Sequence, residues 1–248
     1  MAYRICLLHN LSRTLNSIKT NTLIGYTTSV YFFPFRFQMS LSVGPSGEYI
    51  DGDVLGRLLC HDVIGHDPRI AVLSPLEATS LTYPSPDVAN TDTTCTMYPN
   101  AQYIIMPVCV GGIDQLAPIY ESAHSQAGHY VLITANVRIK QLVVYDSLVT
   151  RDTFEYLTDK LPALTANIWG HSVPTCTLIF VHCHQQRPWS NDCAVFVFAN
   201  VCTILSQIPT HIIPFSPTVR PTFSELSNRD FFRSLWNRVN TKRLRETS

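Results

Sequence analysis

Residues 185 to 205 read QQRPWSNDCAVFVFANVCTIL, polar and turn-forming at first, then almost continuously apolar, with Cys193 at the seam. A segment apolar nearly all round is a helix buried in a core. Ser190, Asn191 and Asp192 supply the capping residues that such a helix needs at its start. The rest of the chain must therefore wrap this helix. With 248 residues, 46% of them hydrophobic and only 15% charged, there is enough apolar material for one domain with a sizeable core. The seam also constrains chemistry. A helix N-terminus presents unsatisfied N–H groups and partial positive charge. That setting favours a thiolate and makes a cysteine nucleophilic at neutral pH. On position alone, Cys193 is equally readable as one more small buried hydrophobe.

Elsewhere strands and helices fall in separate blocks, which points to an α+β fold rather than a doubly wound sheet. Residues 1–47 show no clean period and read as an extension of unknown role. Val54, Leu55, Leu58, Leu59 and Val63 have helical spacing, with Asp51 or Asp53 as N-cap. Residues 74–100, rich in Pro, Ser, Thr, Asp and Asn, read as a long loop. QYIIMPVC (102–109) and TLIFVHC (177–183) read as strands. HYVLITANV and KQLVVYD read as a hairpin. Residues 111–128 are an excursion, and 151–161 form a short amphipathic helix. In the tail, 211–248, Phe231, Phe232, Leu235, Trp236 and Val239 share one helical face; the accompanying arginines are expected to be solvated.

Lys+Arg and Asp+Glu number 18 each, so no global field recruits nucleic acid or a membrane surface. Eight cysteines in a chain without a secretory leader are expected to be reduced and intracellular. No apolar run has the length of a membrane span. His182-Cys183-His184 with Cys176 nearby, and Cys60-His61 with His66, match no structural zinc spacing, so neither a metal nor another cofactor is expected. There is no G-x-S-x-G, P-loop, dinucleotide fingerprint or HExxH.

A nucleophilic cysteine needs a base, and the base an orienter. The hairpin offers both. If residues whose numbers sum to 275 pair across it, His129 lies opposite Asp146, Val131 opposite Val144 and Ile133 opposite Leu142. Directly paired residues share a face, so one register would serve both packing and chemistry. His124 is a rival base, but it lies in a Ser/Ala/Gly-rich stretch with no strand to hold it.

The order His, Asp, Cys, with Gln186 seven residues before the cysteine, resembles the ubiquitin-like protease (SUMO protease) family and the related adenovirus-type proteases. YIIMPVC followed by GHYVLI resembles the family's Pro-Val strand and Gly-His-Trp. VVYDSL resembles its Tyr-Asp-Ser-Leu, and QRPWSNDCAVF its Gln…Asp-Cys-Gly-x-Phe. YIDGDVLGRLL resembles its opening helix. The matches span about residues 49–206 and imply a catalytic domain over 48–210 with a papain-like core, in which the nucleophile's helix packs on a small mixed sheet. They imply a thiol peptidase with Cys193 as nucleophile, His129 as general base and Asp146 as orienter. Gln186 would donate to the oxyanion, with Gln185 as the alternative. Tyr130 and Trp189 would border the substrate. The implied substrate is a ubiquitin-like modifier conjugate or a polyprotein, cut after small or glycine residues by a monomer. Acyl transfer through the same cysteine, or a binding module that has lost activity, are the other readings. Tyr130 stands where the family has Trp, and Ala194 where it has Gly. The second departure bears on oxyanion geometry, because glycine permits close backbone approach.

Overall fold

A computed structural model describes residues 49–60, 67–84, 93–110, 128–174, 176–187, 190–208 and 221–246. The N-terminal extension, the excursion at 111–127, His61, His66, His124 and Trp189 lie outside the described residues.

Five strands form one mixed sheet in chain order: β1 (Ile70–Val72), β2 (Tyr103–Val110), β3 (His129–Asn136), β4 (Gln141–Tyr145) and β5 (Thr177–Val181). The outer pairs β1–β2 and β4–β5 are parallel, and the inner pairs β2–β3 and β3–β4 antiparallel. Alternation of side chains sends each strand's residues into two cores. Ile105 and Leu132 join one; Ile104, Met106, Val131 and Ile133 join the other.

The first core is built from α1 (Gly52–Cys60), α5 (Cys193–Ser206), α6 (Phe223–Leu226) and α7 (Arg229–Glu246). The second lies under α2 (Pro75–Ser80), α3 (Thr94–Met97) and α4 (Arg151–Trp169). The chain is thus α+β with the apolar helix α5 laid across β3, as the pattern of segregated blocks and the resemblance implied.

Local chemistry explains the boundaries. Asp51 rather than Asp53 starts α1: its side chain accepts the Asp53 N–H at 2.7 Å, and its carbonyl accepts Val54 and Leu55. Within the stretch expected to be loop, Ser74 and Glu77 form a reciprocal capping box that nucleates α2, and Thr93 caps α3. The helix expected to end at residue 161 runs on through Pro162 to Trp169. Burial of Leu164 and Ile168 offsets the one backbone hydrogen bond that the proline removes.

The hairpin forms, but its register is shifted by two: Ile133 pairs with Val144 and Asn136 with Gln141, a sum of 277 rather than 275. The turn decides this. The assumed register leaves only Val137 and Arg138 between the strands. The Asn136 side chain instead accepts the N–H groups of Arg138 and Ile139, and Lys140 turns left-handed at φ 53°, so the loop needs four residues. A two-residue slip preserves the faces, so the aliphatic packing survives it.

The tail helix is not an appendage. Phe232, Leu235 and Trp236 are buried in the core that holds α5, and the Phe232 ring meets Phe198 of α5 edge-on at 5.4 Å between centroids. Arg229, expected to be solvated, is buried, and its partner lies in the site.

Candidate active site

Cys193 is the first residue of α5 and is 3% exposed. Its helix is held on the far side by Val197, Phe198, Val201 and Leu205 in the core, so the start of α5 is a rigid mount. Ala194 is also buried in that cluster. Cys202, further along the same helix, shows what full burial does to a thiol: its pKa is driven far above the ordinary range by desolvation.

His129 opens β3, and its Nε2 lies 2.6 Å from Asp146 Oδ1, just past the end of β4. In the observed register the two are diagonal rather than directly opposed, and they still meet. Asp146 is 2% exposed, and the Leu148 N–H also donates to its Oδ1 at 2.8 Å. With Nε2 engaged by Asp146, Nδ1 is the nitrogen left for Cys193, which is near enough to act on the charge of the ring. Burial alone would lower the His129 pKa. The hydrogen bonds and negative charges of Asp146 and Cys193 outweigh it and raise the pKa from 6.5 to about 9, so the ring is charged at neutral pH.

The Asp146 backbone is pinned as well. Its carbonyl accepts the Cys183 Sγ–H at 3.0 Å and the Gln185 side-chain amide at 2.9 Å. Gln185 is therefore engaged at the end of the sheet. Gln186 is the buried glutamine, 6% exposed. Its backbone N–H donates to the Ser147 carbonyl at 2.8 Å, and its Oε1 accepts the Ser147 hydroxyl at 3.0 Å. Fixing the oxygen fixes the amide: Nε2 turns away from Ser147 and gives one of its two N–H groups to the Ser190 carbonyl at 2.9 Å. The loop carrying Gln186 is thus tied both to the residue after Asp146 and to the turn before Cys193.

Tyr130, next to His129, packs against the start of α1 so closely that a Cβ on Gly52 would lie 2.5 Å from its hydroxyl oxygen. Burial, followed by the nearby Cys109 and Asp51, pushes its phenol well above the ordinary range, so it stays neutral. The structure thus gathers His129, Asp146, Cys193, Gln186 and Tyr130 at one end of the sheet. Gln185, the alternative oxyanion donor, and Cys183, weighed with its flanking histidines for a metal, both donate instead to the Asp146 carbonyl. Ser147, which stood inside the Tyr-Asp-Ser-Leu match, and Arg229, one arginine of the tail, are contributors for which the sequence suggested no such role.

His182 and His184 lie beyond the end of β5 rather than on it, and His184 is stacked on Phe223 at 4.2 Å. Among the described residues no three His, Cys, Asp or Glu side chains form a group able to hold a metal ion. No helix among them is long and apolar enough to cross a membrane. Among the described residues, Cys95, Cys176, Cys183, Cys193 and Cys202 are thiols outside any disulfide.

No known family profile matches the sequence, and no curated protein does. Among solved structures, the chain is similar to the SUMO protease Ulp1. One Ulp1 structure, with its catalytic cysteine oxidised to a sulfonic acid, aligns at 16% identity and a TM-score of 0.48, covering 80% of this chain and 82% of that one. The Ulp1 protease domain in complex with Smt3, the yeast ortholog of SUMO, aligns at 15% identity and 0.45, covering 79% of each chain. ChlaDub1 from Chlamydia trachomatis aligns at 12% identity and 0.37, covering 83% and 93%. These likenesses are remote, and what the site can do follows from its own residues.

Proposed function

We propose that the protein is a cysteine peptidase in which Cys193 is the nucleophile, His129 the general base and acid, Asp146 the orienter and Gln186 an oxyanion donor. The observation that carries this reading is His129 poised between a buried carboxylate at 2.6 Å and a thiol at the first residue of a buried helix. The attacking form of the pair carries the proton on the imidazole Nδ1, with Asp146 stabilising the charged ring from the other side. The Cys193 thiolate attacks the scissile carbonyl carbon, forming an Sγ–C bond and an oxyanion. The first-turn N–H groups of α5, which have no acceptor within the helix, and the Gln186 amide stabilise that charge. Collapse breaks the C–N bond, and the leaving amine takes the Nδ1 proton. Water, deprotonated by the now neutral His129, then hydrolyses the thioester and regenerates the thiol–imidazole pair.

The substrate in this reading is a protein tail with small or glycine residues next to the scissile bond, from a ubiquitin-like modifier conjugate or a polyprotein. Tyr130, wedged between the start of α1 and the catalytic histidine, and Trp189 would narrow the approach. The test is turnover of SUMO, ubiquitin and NEDD8 carrying cleavable C-terminal amides, and of short glycine-ending peptides, beside Cys193→Ala. Cleavage of at least one substrate, abolished in a folded Cys193→Ala protein, is expected. Equal cleavage by the variant would overturn the assignment.

A further inference from the structure

We infer that Arg229, the first residue of the tail helix α7, is a positioning residue for Cys193: by holding the Asp192 carboxylate it fixes the first turn of α5 and balances a negative charge adjacent to the nucleophile. The inference rests on the peptidase reading above and adds a residue that the catalytic set does not contain.

Three observations converge. Arg229 Nη1 donates to Asp192 Oδ1 at 2.6 Å, and the two side chains are only 7% and 18% exposed, so this is not a solvated surface pair. Asp192 occupies the N-cap of α5 yet makes no side-chain capping bond to its own helix; its carboxylate serves Arg229 instead. Arg229 is itself held in place, because α7 is anchored by Phe232, Leu235 and Trp236 in the core that buries α5.

The electrostatic consequence follows from proximity. Among the described residues, His129 and the Tyr130 phenol from β3 interact electrostatically with Cys193, Asp192 precedes it in the chain, and Arg229 from α7 holds Asp192. Asp51 and Asp53 at the start of α1 act on the Tyr130 phenol. An uncompensated Asp192 carboxylate would oppose a thiolate on the next residue. Paired with Arg229, it does not.

The test uses the full chain and follows carbamidomethylation of Cys193 at neutral pH by peptide mass mapping, with thermal midpoints measured alongside. Arg229→Gln should slow Cys193 labelling about tenfold, as expected when one neighbouring charge loses its partner. Adding Asp192→Asn to Arg229→Gln should restore the rate to within about threefold of wild type, because the opposing charge leaves with its partner. Arg229→Lys, which keeps the positive charge, should also stay within about threefold.

A purely structural contact would leave the pH dependence of Cys193 labelling, followed by the same mapping, in Arg229→Gln as it is in the wild type, whereas an unpaired Asp192 carboxylate shifts it to higher pH. A double variant no faster than Arg229→Gln, or an Arg229→Gln rate equal to wild type, overturns the inference and leaves the peptidase reading standing. If Arg229→Gln does not fold, Arg229→Lys decides: a folded Arg229→Lys protein with an unreactive Cys193 overturns it. A wild-type Cys193 that labels only on unfolding overturns the peptidase reading itself.

Discussion

Replacing Asp146 with Asn is the sharpest perturbation of the site, because it keeps shape and removes charge. At 2.6 Å the ion pair is worth about 6 kcal/mol of Coulomb attraction at an effective dielectric of 20, before desolvation is counted. The net effect is smaller: raising the His129 pKa from 6.5 to about 9 corresponds to about 3 kcal/mol in favour of the charged ring. Burial opposes that charge and is the largest single influence, so without Asp146 the remaining Cys193 interaction is left to offset it alone. The sign follows. In the wild type the stabilisation from charged His129 is complete below about pH 6.5 and is lost as pH rises through about 9. In Asp146→Asn the ring should lose its proton at or below its ordinary pKa, and the alkaline fall of kcat/KM should move down by two pH units or more. Loss of the orienting carboxylate should also lower kcat/KM at neutral pH by about 10²–10⁴-fold. The assay is a pH–rate profile on whichever C-terminal amide the wild type cleaves, with folding checked by circular dichroism at each pH. An alkaline limb that stays near pH 9 in the variant would refute the assignment of that limb to His129.

Four further expectations can be checked together. Gln186→Ala should lower kcat by about 10²-fold with little change in KM, as loss of an oxyanion donor does, in steady-state kinetics. Ser147→Ala releases the Gln186 amide oxygen rather than removing the amide, so it should fall between wild type and Gln186→Ala in the same assay. Gly56→Ala places a Cβ 2.9 Å from Pro75 Cδ and should destabilise the fold by about 1–3 kcal/mol in denaturant titrations. Trp236→Ala empties a 2% exposed position in the α5 core and should cost about 3–5 kcal/mol, a loss from a helix outside residues 48–210.

Much of this site was legible because its chemistry is local. The change of pattern at Cys193 is visible to the eye, and Asp192 does stand at the N-cap of α5, although its side chain pairs with Arg229 instead of capping the helix. The alternation in HYVLITANV and KQLVVYD reveals two strands and places His129 and Asp146 at one end. The register was not legible, because it was set by an Asx turn on Asn136 and a left-handed Lys140 rather than by the aliphatic pattern, which tolerates a two-residue slip. The helix α2 was legible in principle, since Ser74 and Glu77 have capping-box spacing, but the abundance of Pro and Ser around them reads as loop. Extension of α4 through Pro162 depends on tertiary burial, which local propensity does not encode. Arg229 looked like one cation among several on a basic tail. Only the folded chain shows that its helix starts beside Asp192, 37 residues earlier.

The measurement that tests the central claim most directly is intact-mass and peptide-mass analysis after mixing the protein with C-terminal electrophile probes built on SUMO, ubiquitin and NEDD8. A single adduct mapped to Cys193, and absent from Cys193→Ala, is the expected result, and the probe that forms it names the substrate class. An adduct on a different cysteine, or one that persists in Cys193→Ala, would contradict Cys193 as the nucleophile.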